Sequence, residues 1–564
     1  MNQRTKIVSI PLITVVILSG FLFFFRLGGR SLRNPDEGRY AEIAREMAVS
    51  GDWLEPTLYG TDYLRKPVLF YWLLASSFKL FGQNEFSARL VPALFGLLGV
   101  LAAYFFAARY FGKKKALFTS LLLMTNLFYL EISRYLVIDA VFSFFLVCVF
   151  YLAYLVLEER RQTTLLLLYG FLGLAFLTKG VAGVAIPATA LLIYFILTRS
   201  LKTGVLRLLS VKGVLLFLAI TLPWFVAISI HEPEFFNFFF WHEHLARYLS
   251  KAFEHQEPLY FYLVLLPLVF FPWSLFAGPL KTALRPKGDE PKNPRFYLQA
   301  VSLGILIFYS LSRSKLVTYL MPIVPLGAIL LGDAWISWVE KDEEGTKLGK
   351  SNLLTIILAG LFIFSACFVI ISPLFGLDFP RRIPEEIRFY VFSGLVLLVI
   401  ESAVLIICIL RSQRKALFYS LIAFLSLTSI LIPFLMEPVN KNYTTKHFAQ
   451  VLKPKLTSGD KVFIYGQPGS FYDFAFYLNR PVKLVGLEGE LEFNMEDYKL
   501  GEEDVRRAVF MPDEWKRLIM REKVYCLMRK SDYLELEASL KARLEILIED
   551  GRKVLAESGG HDSV

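Results

Sequence analysis

The sequence predicts a polytopic, all-helical membrane protein that carries a smaller α/β domain at its C-terminal end. Three features predict it. Of 564 residues, 55% are hydrophobic and 52 are Phe, well beyond soluble usage. The apolar residues come in blocks of roughly 17–24 with few charges, the length a helix needs to cross a bilayer. Lys and Arg are divided unevenly among the connections between blocks.

About thirteen such blocks are expected. They lie near 7–25, 88–111, 116–133, 135–157, 164–179, 181–198, 211–230, 258–280, 296–312, 316–338, 353–373, 388–410 and 415–436. The first has no small-residue cleavage site and runs into a charged segment, so it is expected to be a retained span. With Arg4 and Lys6 on the cytoplasmic side, the inner loops include Lys113-Lys114-Lys115, Arg160-Arg161 and Arg411/Arg414/Lys415. Over the short loops roughly 22 basic residues fall inside and about 9 outside. The odd number of spans then puts loop 26–87 and the C-terminal region on the outer side. The net charge of +11 is mostly this bias, and no nucleic-acid partner is expected.

The spans and loops form one unit, 1–436, and the composition changes after it. Residues 437–564 read as an α/β domain. "KVFIYG" and "PVKLVG" are short strands, "SFYDFAFYLN" is an amphipathic helix between them, and "DEWKRLIMREKVYCLMRK" repeats the helix-then-strand order. No glycine-rich nucleotide loop is present, so the domain is assigned no chemistry. Cys148, Cys367 and Cys408 lie in spans and Cys526 stands alone, which suggests neither disulfide nor metal pairing.

In the outer loop, "NPDEGRYAEIAREM" reads as a helix start, with Asn34 as the capping side chain and Pro35, Asp36 and Glu37 in the first turn. Asp36, Arg39, Tyr40, Ile43 and Met47 recur at spacings of three and four and share a face. Glu42, Arg45 and Glu46 fall elsewhere and are expected in water. The bland alternative for Asp36 and Arg39 is a surface pair worth under about 1 kcal/mol. Against it stand other ionisable groups at the same outer level: Lys66, Asp139, Lys179, Arg247, Arg313 and Lys315, with three histidines in "WHEHLARYLSKAFEHQEP". Charged groups at membrane level are costly and mark function by default, although some anchor the helix by snorkelling. Carboxylates and cations on one leaflet suit a phosphate-bearing lipid headgroup. Glu37 and Lys179 are expected in the wall of the same cavity.

"NPDEGRYAEIAREM", "GDWLEPTLYGTDYLRKP", "SARLVPALFG", "SRSKLVTYLMPIVPL" and, in the tail, "FYDFAFYLNRPV" resemble the bacterial aminoarabinose transferases and their protein O-mannosyltransferase relatives. The resemblance implies the GT-C fold. It also implies transfer of a sugar from an undecaprenyl-phosphate-type carrier to an acceptor on the periplasmic face of the bacterial inner membrane. It makes Asp36 and Asp139 the catalytic carboxylates, and Lys66 and Arg247 the cations that hold the lipid phosphate, with Arg39 and Tyr319 assisting. Tyr63 becomes a cavity aromatic and His242 a ligand to a divalent metal. In that family the residue before the phosphate-binding lysine is a glutamate that shares the metal; here it is Arg65. No cofactor is therefore expected to be required, and the run His242-Glu243-His244 is weak metal evidence on its own. A polyprenyl monophosphate leaves as a dianion that Lys66, Arg247 and Arg39 can stabilise without a metal. Aminoarabinose transfer to lipid A and transfer to a protein hydroxyl both stay open. A flippase for an anionic lipid-linked sugar would need ionisable or broken-helix features near mid-bilayer, and the candidates here cluster on one side.

Overall fold

The computed structural model describes residues 10–246, 257–285, 293–340, 385–486 and 509–559, with isolated positions between 356 and 364; the side chains of 242–246 and 277 lie outside it. The chain divides into two compact units. Unit 1 is Met1–Leu27, Pro92–Thr221 and Leu245–Pro438; unit 2 is Gly28–Val91, Leu222–His244 and Val439–Val564.

Among the described residues seven single helices are long and apolar enough to cross a membrane, or eight with the bent pair Lys113–Met124 and Leu127–Ser133. Ile10–Phe24, Ala182–Leu197 and Ile323–Val339 are shorter apolar helices. Twelve of the thirteen expected blocks are thus helical; the one near 353–373 falls largely outside the described residues. This is a multi-pass membrane protein. Two blocks are not the continuous spans expected. The 116–133 block bends by 65° where Asn126 accepts from the Tyr129 N–H at 2.8 Å and starts a second helix. The 258–280 block is split into Phe261–Val269 and Ala277–Leu284 around Pro272, which has no N–H to continue a helix.

Within unit 1, small residues allow close helix crossings. A Cβ on Gly304 would lie 2.5 Å from the Ala190 Cα, so the helices Pro294–Leu311 and Ala182–Leu197 meet backbone to backbone. Asp333, 2% exposed inside an apolar block, is bonded to Lys115 at 2.6 Å and also to Arg295. Neither partner was signalled by local sequence.

In unit 2 the Asp36–Ser50 helix is followed by a two-strand hairpin, β1 (Thr57–Leu58) with β2 (Thr61–Asp62), and by the apolar helix Leu69–Phe81. At 13 residues the last is too short to cross a bilayer. The C-terminal domain is a six-stranded sheet in the order β5-β4-β3-β6-β8-β7. β3 (Lys461–Tyr465), β4 (Lys483–Val485), β5 (Val509–Phe510) and β6 (Val524–Arg529) run parallel. β7 (Leu544–Asp550) and β8 (Lys553–Ser558) add an antiparallel edge. Trp515, Phe463, Cys526 and Met528 fill its core.

The first-loop helix is held between these parts, and this corrects three expectations. Asn34 does not cap the helix. Its amide donates to Asp473 Oδ1 at 2.5 Å and to the Ser470 carbonyl at 3.0 Å, and its oxygen accepts from the Asp473 N–H. Gly38 makes the approach possible, because a Cβ there would lie 2.1 Å from Asn34 Oδ1 and 2.7 Å from the Asp473 nitrogen. Glu42 and Arg45 are not in water either. They are 0% and 4% exposed and bonded at 2.6 and 2.8 Å, and Glu46 accepts from Thr57 Oγ1 at 2.7 Å. The cause is tertiary: the helix Asp473–Leu478 and the hairpin cover the face that would otherwise be wet. For the same reason Asp473–Leu478 is buried on nearly all sides and not amphipathic. The loop after the first span and the C-terminal domain pack together, so they share one side of the membrane. That agrees with an even number of blocks, twelve, between them.

Asp473 accepts from Thr444 Oγ1, Thr445 Oγ1, the Thr445 N–H and Asn34 at 2.5–2.9 Å. Burial raises its pKa, and those donors oppose the rise. Asp473→Ala strands four buried donors and is expected to cost about 2 kcal/mol or more, read as a lower Tm of the detergent-purified protein. Glu42 supplies a pH test. Burial lifts its carboxyl from 4.5 to about 8 despite Arg45, with Glu46 adding to the rise. Folding therefore favours the protonated form; its contribution is full below pH 4.5 and is lost as pH rises through about 8. Glu42→Gln is expected to flatten the fall in Tm across that range. A Tm difference between wild type and variant that stays constant with pH contradicts this.

Candidate active site

Each unit gathers part of the predicted set. In unit 2, Asp36 opens the first-loop helix and keeps 44% of its side chain accessible. Arg39, one turn on, donates from Nη2 to Asp36 Oδ1 at 2.7 Å. Its guanidinium lies 5.3 Å from the Tyr40 ring centroid and 5.9 Å from that of Tyr63, a cation–π arrangement that fixes the fork beside the carboxylate. Tyr63 is 3% exposed and its N–H donates to the Pro56 carbonyl at 2.8 Å. Lys66, half-buried, donates to the carbonyl of Arg65 at 3.0 Å. The hairpin thus delivers an aromatic and two consecutive cations just before the Leu69–Phe81 helix, whose Phe70 and Tyr71 pack on Tyr40.

Glu37 is placed elsewhere than predicted. It has no exposure and is bonded through both oxygens to Arg89 Nε and Nη2, each at 2.7 Å. It lies in the interior and not on a cavity wall, because the helix turns residue 37 about 100° away from residue 36.

In unit 1, Asp139 stands in the first turn of Ile138–Glu158, and Lys179 ends the neighbouring helix Gln162–Lys179. An acid at a helix start and a base at a helix end each complement the helix dipole. Lys179 Nζ meets Asp139 Oδ1 at 2.6 Å, with 13% and 12% of the two side chains accessible. The same ammonium lies 4.5 Å from the Tyr319 centroid and 5.3 Å from that of Phe142. Tyr319, on the short turn Val317–Leu320, stacks on Tyr309 at 4.9 Å and 24°. Asp139, Lys179 and Tyr319, drawn from three separate segments, therefore form one cluster. Phe142 and Tyr309 complete it. Both lie inside apolar blocks, where nothing local marks them. Lys315 donates instead to the carbonyls of Ser312 and Glu257, which ties down the turn.

Arg247 and the side chain of His242 lie outside the described residues. At position 65 a guanidinium replaces the carboxylate of the expected metal pair, and a guanidinium has no lone pair to give a metal. Among the described residues one group has metal-competent spacing, Glu55 with His231 and Glu232. Chemically, both clusters offer a carboxylate paired with a cation beside aromatic rings. Such a pairing can steer an acceptor and balance negative charge on a leaving group.

Residues 65–226 match the family described as dolichyl-phosphate-mannose-protein mannosyltransferase. Over 519 residues, 89% of this chain and 90% of the other, the sequence is 30% identical to the undecaprenyl phosphate-alpha-4-amino-4-deoxy-L-arabinose arabinosyl transferase of Shewanella sediminis. It is 31% identical to the protein of that name from Pseudomonas aeruginosa over 85% of this chain and 86% of that one. The crystal structure of ArnT from Cupriavidus metallidurans bound to undecaprenyl phosphate superimposes with a TM-score of 0.80. It is 27% identical, and 97% of each chain is covered.

Proposed function

The chain belongs to the family of undecaprenyl phosphate-alpha-4-amino-4-deoxy-L-arabinose arabinosyl transferases, and from that premise we propose that it moves aminoarabinose from undecaprenyl phosphate to lipid A on the periplasmic face of the inner membrane. It is a glycosyltransferase with a polyprenyl-phosphate-sugar donor. The observation that carries the specific proposal is likeness over nearly the whole length, tail included, to a protein solved with undecaprenyl phosphate bound. The outer placement rests on the excess of Lys and Arg in the opposite loops.

In the proposed reaction an acceptor oxygen attacks the anomeric carbon, the bond from that carbon to the carrier phosphate breaks, and polyprenyl phosphate leaves. Asp36 takes the proton of an acceptor hydroxyl, or orients the acceptor where it is already an anion. Arg39, held on Asp36 and backed by Tyr40 and Tyr63, keeps that carboxylate aimed. Lys66, with Arg247, balances charge on the departing phosphate. Asp139, fixed by Lys179 over Tyr319, is the second catalytic carboxylate. None of these roles needs a metal.

Protein mannosylation is the second candidate, favoured by the family match over residues 65–226. Mass analysis of lipid A and of exported glycoproteins from a deletion strain separates the two acceptors. Transfer by the purified enzyme in detergent separates either from a flippase, which needs a bilayer to show activity.

Asp36→Asn is expected to reduce transfer by about 100-fold or more, with expression and polyprenyl-phosphate binding kept; an active variant removes Asp36 from the mechanism. For Lys66→Ala, weaker binding of polyprenyl phosphate is expected in a direct binding assay, and unchanged affinity contradicts a phosphate-holding role.

A further inference from the structure

We infer that Glu55, His231 and Glu232 form a binding site for a zinc-class divalent cation that fastens the loop carrying Tyr63 and Lys66 to the end of the Val211–His231 helix. One ligand atom from each of the three lies within 4.8 Å of the other two, and His231 Nε2 is 3.1 Å from Glu55 Oε2. One imidazole nitrogen and two carboxylate oxygens suit zinc and its first-row neighbours, leaving the remaining position to water. Imidazole also sets the site apart from magnesium and calcium sites, which prefer oxygen throughout.

The supporting backbone is fixed before any ion arrives. Asp52 Oδ1 accepts from the N–H groups of Leu54 and Glu55 at 2.8 and 3.2 Å. The Trp72 indole donates to the Trp53 carbonyl at 2.6 Å, and the Trp224 indole to the Leu54 carbonyl at 2.9 Å. Trp224 belongs to the same helix as His231, so one helix both anchors the loop and supplies a ligand to it. Glu232 is held by its N–H to the Ile228 carbonyl at 2.7 Å. Glu55 keeps 10% of its side chain accessible and His231 keeps 54%, which leaves an approach for the ion.

The proposed ligand set does not include His242 and is independent of whether transfer needs a metal. The test uses full-length protein in detergent, stripped with EDTA, incubated with zinc chloride, washed and assayed for bound zinc by elemental analysis, alongside Tm with and without zinc. His231→Ala and Glu232→Gln are each expected to lose one zinc per chain and the zinc-dependent rise in Tm, with excess magnesium unable to restore either. His242→Ala is expected to keep both. Wild-type protein that retains no zinc, or zinc held unchanged by His231→Ala and Glu232→Gln, overturns the site and leaves an ordinary His–Glu hydrogen bond. Zinc lost only with His242→Ala overturns it equally. Polyprenyl-phosphate-dependent transfer is not read in this experiment, so its outcome and that of the proposed reaction stand apart.

Discussion

Glu37 and Arg89, neither with any exposure, hold the start of the helix on which the first carboxylate stands. A buried ion pair is favourable only when desolvation is offset by near-complete hydrogen bonding, and here it is. Glu37 takes two guanidinium N–H groups and the Arg33 N–H. Arg89 also donates to the carbonyls of Arg30 and Ser31 at 2.7 and 2.9 Å. The chain from 30 to 37 is thereby fastened to the helix Glu85–Tyr110. Asp36, one residue from the anchor and turned off it, is left beside Arg39. Removing either partner would strand a charge in the interior, so Glu37 serves as an anchor while its sequence neighbour Asp36 keeps an accessible carboxylate.

The C-terminal domain fastens the other face of the same helix. Asp473 gathers donors from the chain after the last span and from Asn34, and the close approach depends on the missing side chain at Gly38. Tyr59 adds a donor to the Phe471 carbonyl at 2.8 Å. A domain without a recognisable chemical motif thus covers a helix whose acids and bases would otherwise be solvated. Glu42 and Arg45 are held in a dry contact for that reason, and the same burial raises the pKa of Glu42.

Unit 1 solves a related problem with less. Asp139 and Lys179 are placed at the ends of neighbouring helices, where each suits the local dipole, and aromatic rings close over the ammonium. Partial burial keeps the pair ordered without the full desolvation borne by Glu37 and Arg89. Ordered charge with some access is what a group needs if it is to meet a substrate.

The spans were legible because bilayer thickness sets a length and forbids charge along it, and both constraints are local. In the C-terminal domain β3, β4 and β6 were legible as short apolar runs, whereas β5, β7 and β8 were not. Asp36, Arg39, Lys66, Asp139 and Lys179 stood out as ionisable groups in places where water is scarce. Which of them are fully buried and which keep some access was decided only by packing. Glu37 and Asp36 are neighbours with the same chemistry, yet one meets Arg89 from 52 residues away and the other does not. Asn34 looks like a cap until a segment more than 400 residues later takes its side chain. Burial is a property of what lies above a residue, and a one-dimensional pattern records only what lies beside it.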